Sequence, residues 1–418
     1  MSDPRRLLVV GASPTRAAAF AVWRLMGIDV VLVDGYSTER YEHLANEFHA
    51  MDQRDGSADL GRITELARGC DGITTLADNS QLTVAAIAED LGLPGVGRAA
   101  ASVARSKLRQ RALFEHSDVT IPSWRQVDAP RDLEAFYADG ARPAVLKPVD
   151  CAGSAGVLRV DDVDAALRQW PVVRSISPSR TVIVEDFVEG REVCVDAVVT
   201  RGEAVFVSVC EADYTGPEGF IAVSALYATD QRDRAAATRA IQSLVTPLGL
   251  REATVHAEFK IDGDRWTLLE TALRPGGALV PELTERVTGV SLYQAMARIA
   301  FGEAAPMPAP AQPSVPFAQV RFLVGAGQVR RFVPPAEIVR DLSDVKVVTQ
   351  FAGPGRQVRR PVSEEGRAGC AVGWGPDRDR LDAQLREAVA RLGRAMGLNT
   401  VDSAAHGPAA ELMGGDGS

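Results

Sequence analysis

The apolar positions of this chain change period several times, and each change marks a change of element. In "RRLLVVGAS" the residues Leu7 to Val10 form an unbroken apolar run; the helix-spaced "TRAAAFAVWRLMG" and a second run, "IDVVLVDG", follow. Strand, helix, strand with continuously apolar strands predicts a parallel sheet covered on both faces. The alternation recurs in "CDGITTLAD" and "SQLTVAAIAEDLG", so residues 1–98 read as a doubly wound α/β domain. From "SKLRQRALFEHSD" onward the character becomes α+β and mainly antiparallel. The strand "ARPAVLKP", a small-residue loop "VDCAGSAGV" and the strands "TVIVEDFV", "REVCVDAVVT" and "EAVFVSVC" precede an amphipathic helix, "RDRAAATRAIQSLVTPLG". The hairpin "TVHAEFKIDGDRWTLLET" and the helix "SLYQAMARIAFG" close this region, residues 99–303. The Pro/Ala-rich "EAAPMPAPAQPSVP" reads as a linker into an α/β segment ending at 402. Residues 403–418 have nothing to bury and read as a frayed tail.

Composition narrows the function classes. The formal charge of −9, from 46 basic and 55 acidic residues, argues against a nucleic-acid backbone as partner. It leaves nucleotides open, since these need only a few local cations. The five cysteines, Cys70, Cys151, Cys194, Cys210 and Cys370, are scattered and form no CxxC pair, so neither a zinc site nor a disulfide framework is indicated. Free thiols suit a reducing compartment, and a cytoplasmic location is expected. No apolar run approaches the roughly 20 residues of a membrane span. Gly11 lies at the first strand-to-helix turn, but "GASPTRAAA" lacks the GxGxxG spacing, so a nicotinamide-dependent oxidoreductase rests on that turn alone.

The chemistry-bearing residues concentrate in three places. In the hairpin, His256, Glu258 and Lys260 share one strand face, as do Trp266, Leu268 and Glu270. A three-residue loop, Asp262-Gly263-Asp264, would pair Ile261 with Arg265, Glu258 with Leu268 and His256 with Glu270. Glu258 would then lie diagonally from Glu270 at about 7–8 Å, close enough to share a divalent cation. A two-residue loop would turn the glutamates to opposite faces, and solvated glutamates on an exposed face fit the same residues. Arg274 leaves the strand beyond Glu270, where an always-charged guanidinium suits a developing oxyanion, and Gly276 and Gly277 would let a substrate near the backbone. Second, Lys147 ends an apolar strand ahead of Gly153, Ser154 and Gly156, whose backbone N–H groups could fold over phosphate; a lysine reaching water is the plainer alternative. Third, in "VIVEDFVEGREV" Glu185 and Glu192 flank Phe187 and Val188, a segment able to hold a planar base, or simply a strand pair with exposed acids. Lys107, in "ARSKLRQR", is one basic residue among several.

The order of these residues, Lys107, Lys147 with its glycine loop, Glu185, Glu192, Glu258, Glu270 and Arg274, resembles the ATP-grasp superfamily over about residues 5 to 400. The resemblance implies an ATP-grasp fold, α/β and α+β, with an N-terminal pre-ATP-grasp domain, a lid subdomain at about 110–185 and a C-terminal carboxylase-like segment. It implies that Lys107 and Lys147 contact phosphates and that the loop with Gly153, Ser154 and Gly156 is a lid. Glu185, Phe187 and Val188 would hold adenine, Glu192 the ribose, Glu258 and Glu270 one or two Mg²⁺, and Arg274 the acyl-phosphate. His256 would polarise substrate or orient Glu270.

Within the superfamily, "HAEFK" with "LLETALRPGG" is most similar to the bacterial L-amino acid ligases. The implied activity is an ATP-dependent ligase making an amide from a small carboxylic or amino acid and an amine, through an acyl-phosphate, with homodimerisation common in the superfamily. Ala272 stands where the commoner form has Asn, removing a metal ligand. Ala222 and Ala225 stand where dipeptide ligases carry Glu and His, which implies a substrate that is less polar or lacks an amino group. Two alternatives are an enzyme activating bicarbonate or formate, like biotin carboxylase or the purine-pathway members, and a non-catalytic nucleotide-binding module.

Overall fold

The computed structural model describes residues 3–12, 16–35, 43–215, 220–228, 233–304 and 315–400. The chain divides into two compact units: Met1–Trp124, Val188–Glu211 and Tyr227–Pro316 make the first, and Arg125–Phe187, Ala212–Leu226 and Phe317–Ser418 the second. The predicted tail, and residues 305–314 of the predicted linker, lie outside the described residues. Among the described residues no helix is long and apolar enough to cross a membrane.

The first unit opens with β1 (Arg6–Val10), α1 (Ala17–Leu25), β2 (Asp29–Asp34), β3 (Glu47–Ala50), α2 (Leu60–Ala67) and β4 (Gly72–Thr74). The strands pair in parallel in the order β3-β2-β1-β4. Both faces are covered, which is why the strands are apolar without alternation: Leu7 and Val9 pack with Phe20 and Trp23 of α1, Leu8 and Val10 with Ile63 of α2. The four-residue β3 has no apolar run and was not foreseen. Gly11 has φ +80°, and a Cβ there would meet Ala77 and Ser80 at 2.9 Å. The turn is therefore filled by the chain's own side chains. Next come α3 (Gln81–Leu91), α4 (Arg98–Ala104) and α5 (Lys107–Phe114); Ser106 caps α5 by accepting the Arg109 N–H.

The second unit begins with β5 (Trp124–Val127), α6 (Pro130–Phe136), β6 (Ala144–Pro148), β7 (Leu158–Val160), α7 (Val163–Ile176) and β8 (Val182–Asp186), strand order β5-β8-β6-β7. Leu146 and Val184 enter a core with Leu133 and Val173, leaving Lys147 and Glu185 on the other face.

Then follow β9 (Arg191–Thr200), β10 (Glu203–Tyr214), β11 (Ala222–Ala228), α8 (Arg234–Leu248), β12 (Glu252–Asp262), β13 (Arg265–Ala272), α9 (Val280–Thr288) and α10 (Leu292–Ala300). In the first unit the strands run β13-β12-β9-β10, antiparallel throughout. Period-two alternation sends Val193, Val195, Ala197, Val255, Ala257 and Phe259 into a core closed by Ile241 and Leu244 of α8. The opposite face of β9 and β12 therefore carries Cys194, Asp196, His256 and Glu258.

The chain ends in the second unit with β14 (Phe317–Leu323), β15 (Gly325–Gln328), α11 (Pro335–Ile338), β16 (Val345–Gln350), β17 (Gln357–Val358), β18 (Gly369–Gly375), α12 (Arg378–Met396) and β19 (Asn399–Thr400). Its strands follow β11-β14-β18-β16, with a small β17-β15-β19 sheet. Leu381, Leu385, Ala388, Leu392 and Met396 form the apolar stripe by which α12 closes this core.

Candidate functional site

The hairpin departs from the predicted register, and the departure makes the site. The turn has two residues, Gly263 and Asp264, pairing Asp262 with Arg265 and Phe259 with Leu268. Continued without interruption, that register would set the glutamates on opposite faces. A β-bulge intervenes: Leu269 is the extra residue on β13, and beyond it Glu258 stands directly opposite Glu270. His256 consequently faces Ala272 and not Glu270, which corrects the expected pairing.

The bulge is held from outside the hairpin. The Leu269 carbonyl accepts from the fully buried Arg111 at 2.5 Å. Gln110 treats Thr271 as a neighbouring strand would, accepting from its N–H at 3.0 Å and donating to its carbonyl at 3.0 Å. The Leu268 N–H donates to the Thr120 carbonyl at 2.8 Å, and the Leu273 N–H to Gln81 at 3.1 Å. The same helix, α5, starts with Lys107, whose Nζ lies 2.7 Å from Glu270.

On the adjoining strands the His256 Nδ1 is 3.3 Å from Asp196 Oδ1, and its Nε2 is 3.6 Å from Glu258. Burial pushes the His256 imidazole down, but Asp196 and then Glu258 more than reverse this and raise it to about 10. Burial, then the charge of Glu270, push the Glu258 carboxyl up to about 7, with His256 opposing. His256 thus attends Glu258, and Lys107 attends Glu270. Asp196 is fully buried and also accepts from the Gly276 N–H at 2.7 Å and the Tyr227 hydroxyl at 3.2 Å. A Cβ on Gly276 would meet His256 Nδ1 at 2.8 Å, so the backbone passes there only as glycine. Glu192 pairs across β9–β12 with Lys260, at 3.2 Å.

Arg274 is gripped in a fork by Asp78: its Nε donates to Oδ1 at 2.6 Å, a second nitrogen donates to Oδ2, and Nη1 donates to the Pro275 carbonyl at 2.7 Å. Burial works against the charge on Asp78, yet Arg274 holds the carboxyl at about 2. Arg16, also buried, donates to the same carbonyl at 3.1 Å; burial and then Arg274 depress its pKa. Asp78, Asp196, Arg16, Gln110 and Arg111 escaped the sequence reading. Asp196 was findable, because it alternates with Cys194 and Glu192 on a strand already recognised.

In the second unit Lys147 Nζ meets Glu185 at 2.7 Å, both side chains nearly inaccessible. Gly153, Ser154 and Gly156 all take left-handed backbone, with φ of 60°, 60° and 73°. This loop is tied down: Ser154 Oγ donates to the Phe220 carbonyl at 2.5 Å, and the Glu364 N–H donates to the Gly153 carbonyl at 3.0 Å. The Arg159 guanidinium lies 4.6 Å above the Phe187 ring. Val188 lies half-buried in the irregular link between β8 and β9. Ala222 gives its carbonyl to Arg367 at 2.6 and 3.0 Å, and Ala225 is buried on β11.

Comparison with known proteins assigns the family. Residues 141–282 match the ATP-grasp domain and residues 23–95 the ATP-grasp N-terminal domain. An uncharacterised protein of Sinorhizobium fredii is 25% identical over 387 residues, 87% of this chain and 76% of that protein. The alanine–anticapsin ligase of Bacillus subtilis is 26% identical over 294 residues, which take in 63% of this chain and 61% of that enzyme's length. The crystal structure of the L-amino acid ligase from Bacillus licheniformis superposes with a TM-score of 0.74 at 18% identity, covering 96% of this chain and 99% of that one, a likeness of fold. Two matched domains in the expected order, on the fold just described, make this chain a member of the ATP-grasp superfamily.

Proposed function

We propose that this chain is an ATP-dependent, ADP-forming ligase that joins a small carboxylic or amino acid to an amine as an amide or peptide. The observation that carries the reading is Glu258 facing Glu270, with Lys107 at 2.7 Å from the latter. Two carboxylates so placed raise each other's proton affinity, as at Glu258, and a divalent cation between them relieves the repulsion. Magnesium bound there supplies neutralisation of the β- and γ-phosphate charge. The relative named for joining alanine to anticapsin supports a carboxylate–amine reaction.

The chain's own residues then bind and orient. Lys107 and Lys147 are assigned to the phosphates, Gly153, Ser154 and Gly156 to the loop over them, Glu185, Phe187 and Val188 to adenine, and Glu192 to the ribose. A substrate carboxylate oxygen bonds to the γ-phosphorus as the β–γ bridge breaks and ADP leaves. The amine nitrogen next bonds to the acyl carbon, phosphate departs, and the amine proton passes to water. Arg274 is preorganised for this intermediate: Asp78 and Pro275 occupy three of its five N–H groups and fix the fork in place. Gly276 and Gly277 let substrate approach the backbone beside it. With alanine at 222 and 225, the acid is expected to be small and weakly polar at that end.

The test is phosphate release across a matrix of carboxylic acids and amines, with Glu270→Gln as control. Release that requires both an acid and an amine, and falls about 10²–10³-fold in the variant, is expected. Release driven by bicarbonate without an amine would move the chain to the carboxylase branch. ATP binding with no turnover for any pair, unchanged in Glu270→Gln, would make it a binding module.

A further inference from the structure

The polar face of β9 and β12 holds one residue that the ligase chemistry does not use. Cys194 stands directly across from Glu258. Its sulfur, a ring nitrogen of His256 and a carboxylate oxygen of Glu258 all lie within 4.8 Å of one another. The spacing of the cysteines along the chain gave no sign of this, because the three ligands come from two strands paired by the sheet. His256 adds the second half of the arrangement. Its Nδ1 rests on Asp196, leaving Nε2 on the side of Glu258. Metal-binding histidines characteristically keep their other nitrogen on a carboxylate in this way, which fixes the ring and strengthens the ligand. Asp196 is itself held by Gly276 and Tyr227, so the support is rigid.

We propose that Cys194, His256 and Glu258 form a site for a thiophilic divalent cation, zinc foremost, with a fourth position open to water or a phosphate oxygen. A sulfur–nitrogen–oxygen set suits zinc or cobalt(II); magnesium prefers oxygen alone. Zinc bonds of about 2.0–2.3 Å place tetrahedral ligands about 3.5 Å apart, so closure asks for side-chain movements of about 1 Å. The thiol binds as thiolate and the imidazolium as neutral imidazole, and each gives its proton to solvent. Glu258 is common to this site and to the magnesium pair. On the ligase reading, zinc therefore withdraws Glu258 from nucleotide binding and inhibits the enzyme.

The experiment titrates the full-length protein with Co²⁺, without magnesium or ATP, and follows the thiolate-to-cobalt charge-transfer absorption. One equivalent is expected in the wild type and in Cys210→Ser, bleached by added zinc. Cys194→Ser should lose the absorption, and His256→Gln should weaken cobalt binding at least about tenfold, with circular dichroism confirming that both variants fold. No absorption in the wild type, or absorption that survives Cys194→Ser, overturns the site. Zinc inhibition of ATP-dependent phosphate release is read separately, each protein against its own zinc-free rate. A half-inhibitory concentration at least about tenfold higher in Cys194→Ser supports the competition. An unchanged one, with the cobalt signal intact, overturns the competition and the shared role of Glu258 while leaving the thiophilic site standing.

Discussion

Two lysine–glutamate pairs of equal length, 2.7 Å, stand one in each unit, and they keep different company. Lys147 and Glu185 are 8% and 2% exposed at their side chains, a nearly closed pair of one positive and one negative group. Lys107 and Glu270 are 11% and 33% exposed, and Glu270 looks directly at a second carboxylate, Glu258, which in turn touches a histidine braced by Asp196. A balanced pair in low dielectric serves to hold a charge in position, at a desolvation cost the partner offsets. A face with more carboxylate than local cation is one where an added metal ion gains most. The difference between the pairs lies in what faces them, and in the first unit that is decided by one extra residue in a strand.

The largest effect should come from removing the carboxylate that the bulge sets opposite Glu270. Glu258→Leu leaves Glu270 with Lys107 but with no carboxylate across the ladder, the composition of the Lys147–Glu185 pair. Phosphate release should fall by about 10³-fold or more, with Mg–ATP binding by calorimetry lost as well. Near-normal turnover would show that the facing glutamates do not hold the metal.

The next effect contrasts the pairs through stability. Lys147→Met takes the paired lysine from the buried Glu185 and should cost about 3–5 kcal/mol in chemical denaturation, whereas the double variant Lys147→Met/Glu185→Leu should regain most of it. Lys107→Met should cost about 1 kcal/mol or less, because water reaches Glu270. Equal losses from the two single variants would erase the distinction drawn here.

Much of this was legible beforehand. The opening α/β region and the polar face of β12 followed from helical and period-two spacing, and the order of lysines, glutamates and arginine carried the family resemblance. The facing of Glu258 and Glu270 did not follow from the turn, since a two-residue turn by itself implies the reverse. The bulge depends on Arg111 and Gln110, about 160 positions upstream, and no local pattern announces a side chain that will bind a distant backbone carbonyl. Asp78 was missed for the same reason: its partner, Arg274, lies 196 residues away.

The remaining contrast is in the pH dependence of stability. The folded state raises His256 from 6.5 to about 10, so its protonated form is favoured on folding. The stabilisation is complete below about pH 6.5 and is lost as the pH climbs toward about 10. The melting temperature of the wild type minus that of His256→Gln should therefore shrink across this window. A constant difference would mean that the imidazole is not held charged by Asp196 and Glu258.

The seal along the outer side of β13 has a consequence for how this protein survives outside its finished form. That strand ends its sheet, and an exposed border of backbone donors and acceptors invites another chain to zip onto it. Gln81, Gln110, Arg111 and Thr120 close the border, and all four belong to residues that precede the hairpin by more than a hundred positions. A fragment beginning after Thr120 would carry the same glutamates on an open selvedge, and self-association, more than loss of any ligand, would be its first defect.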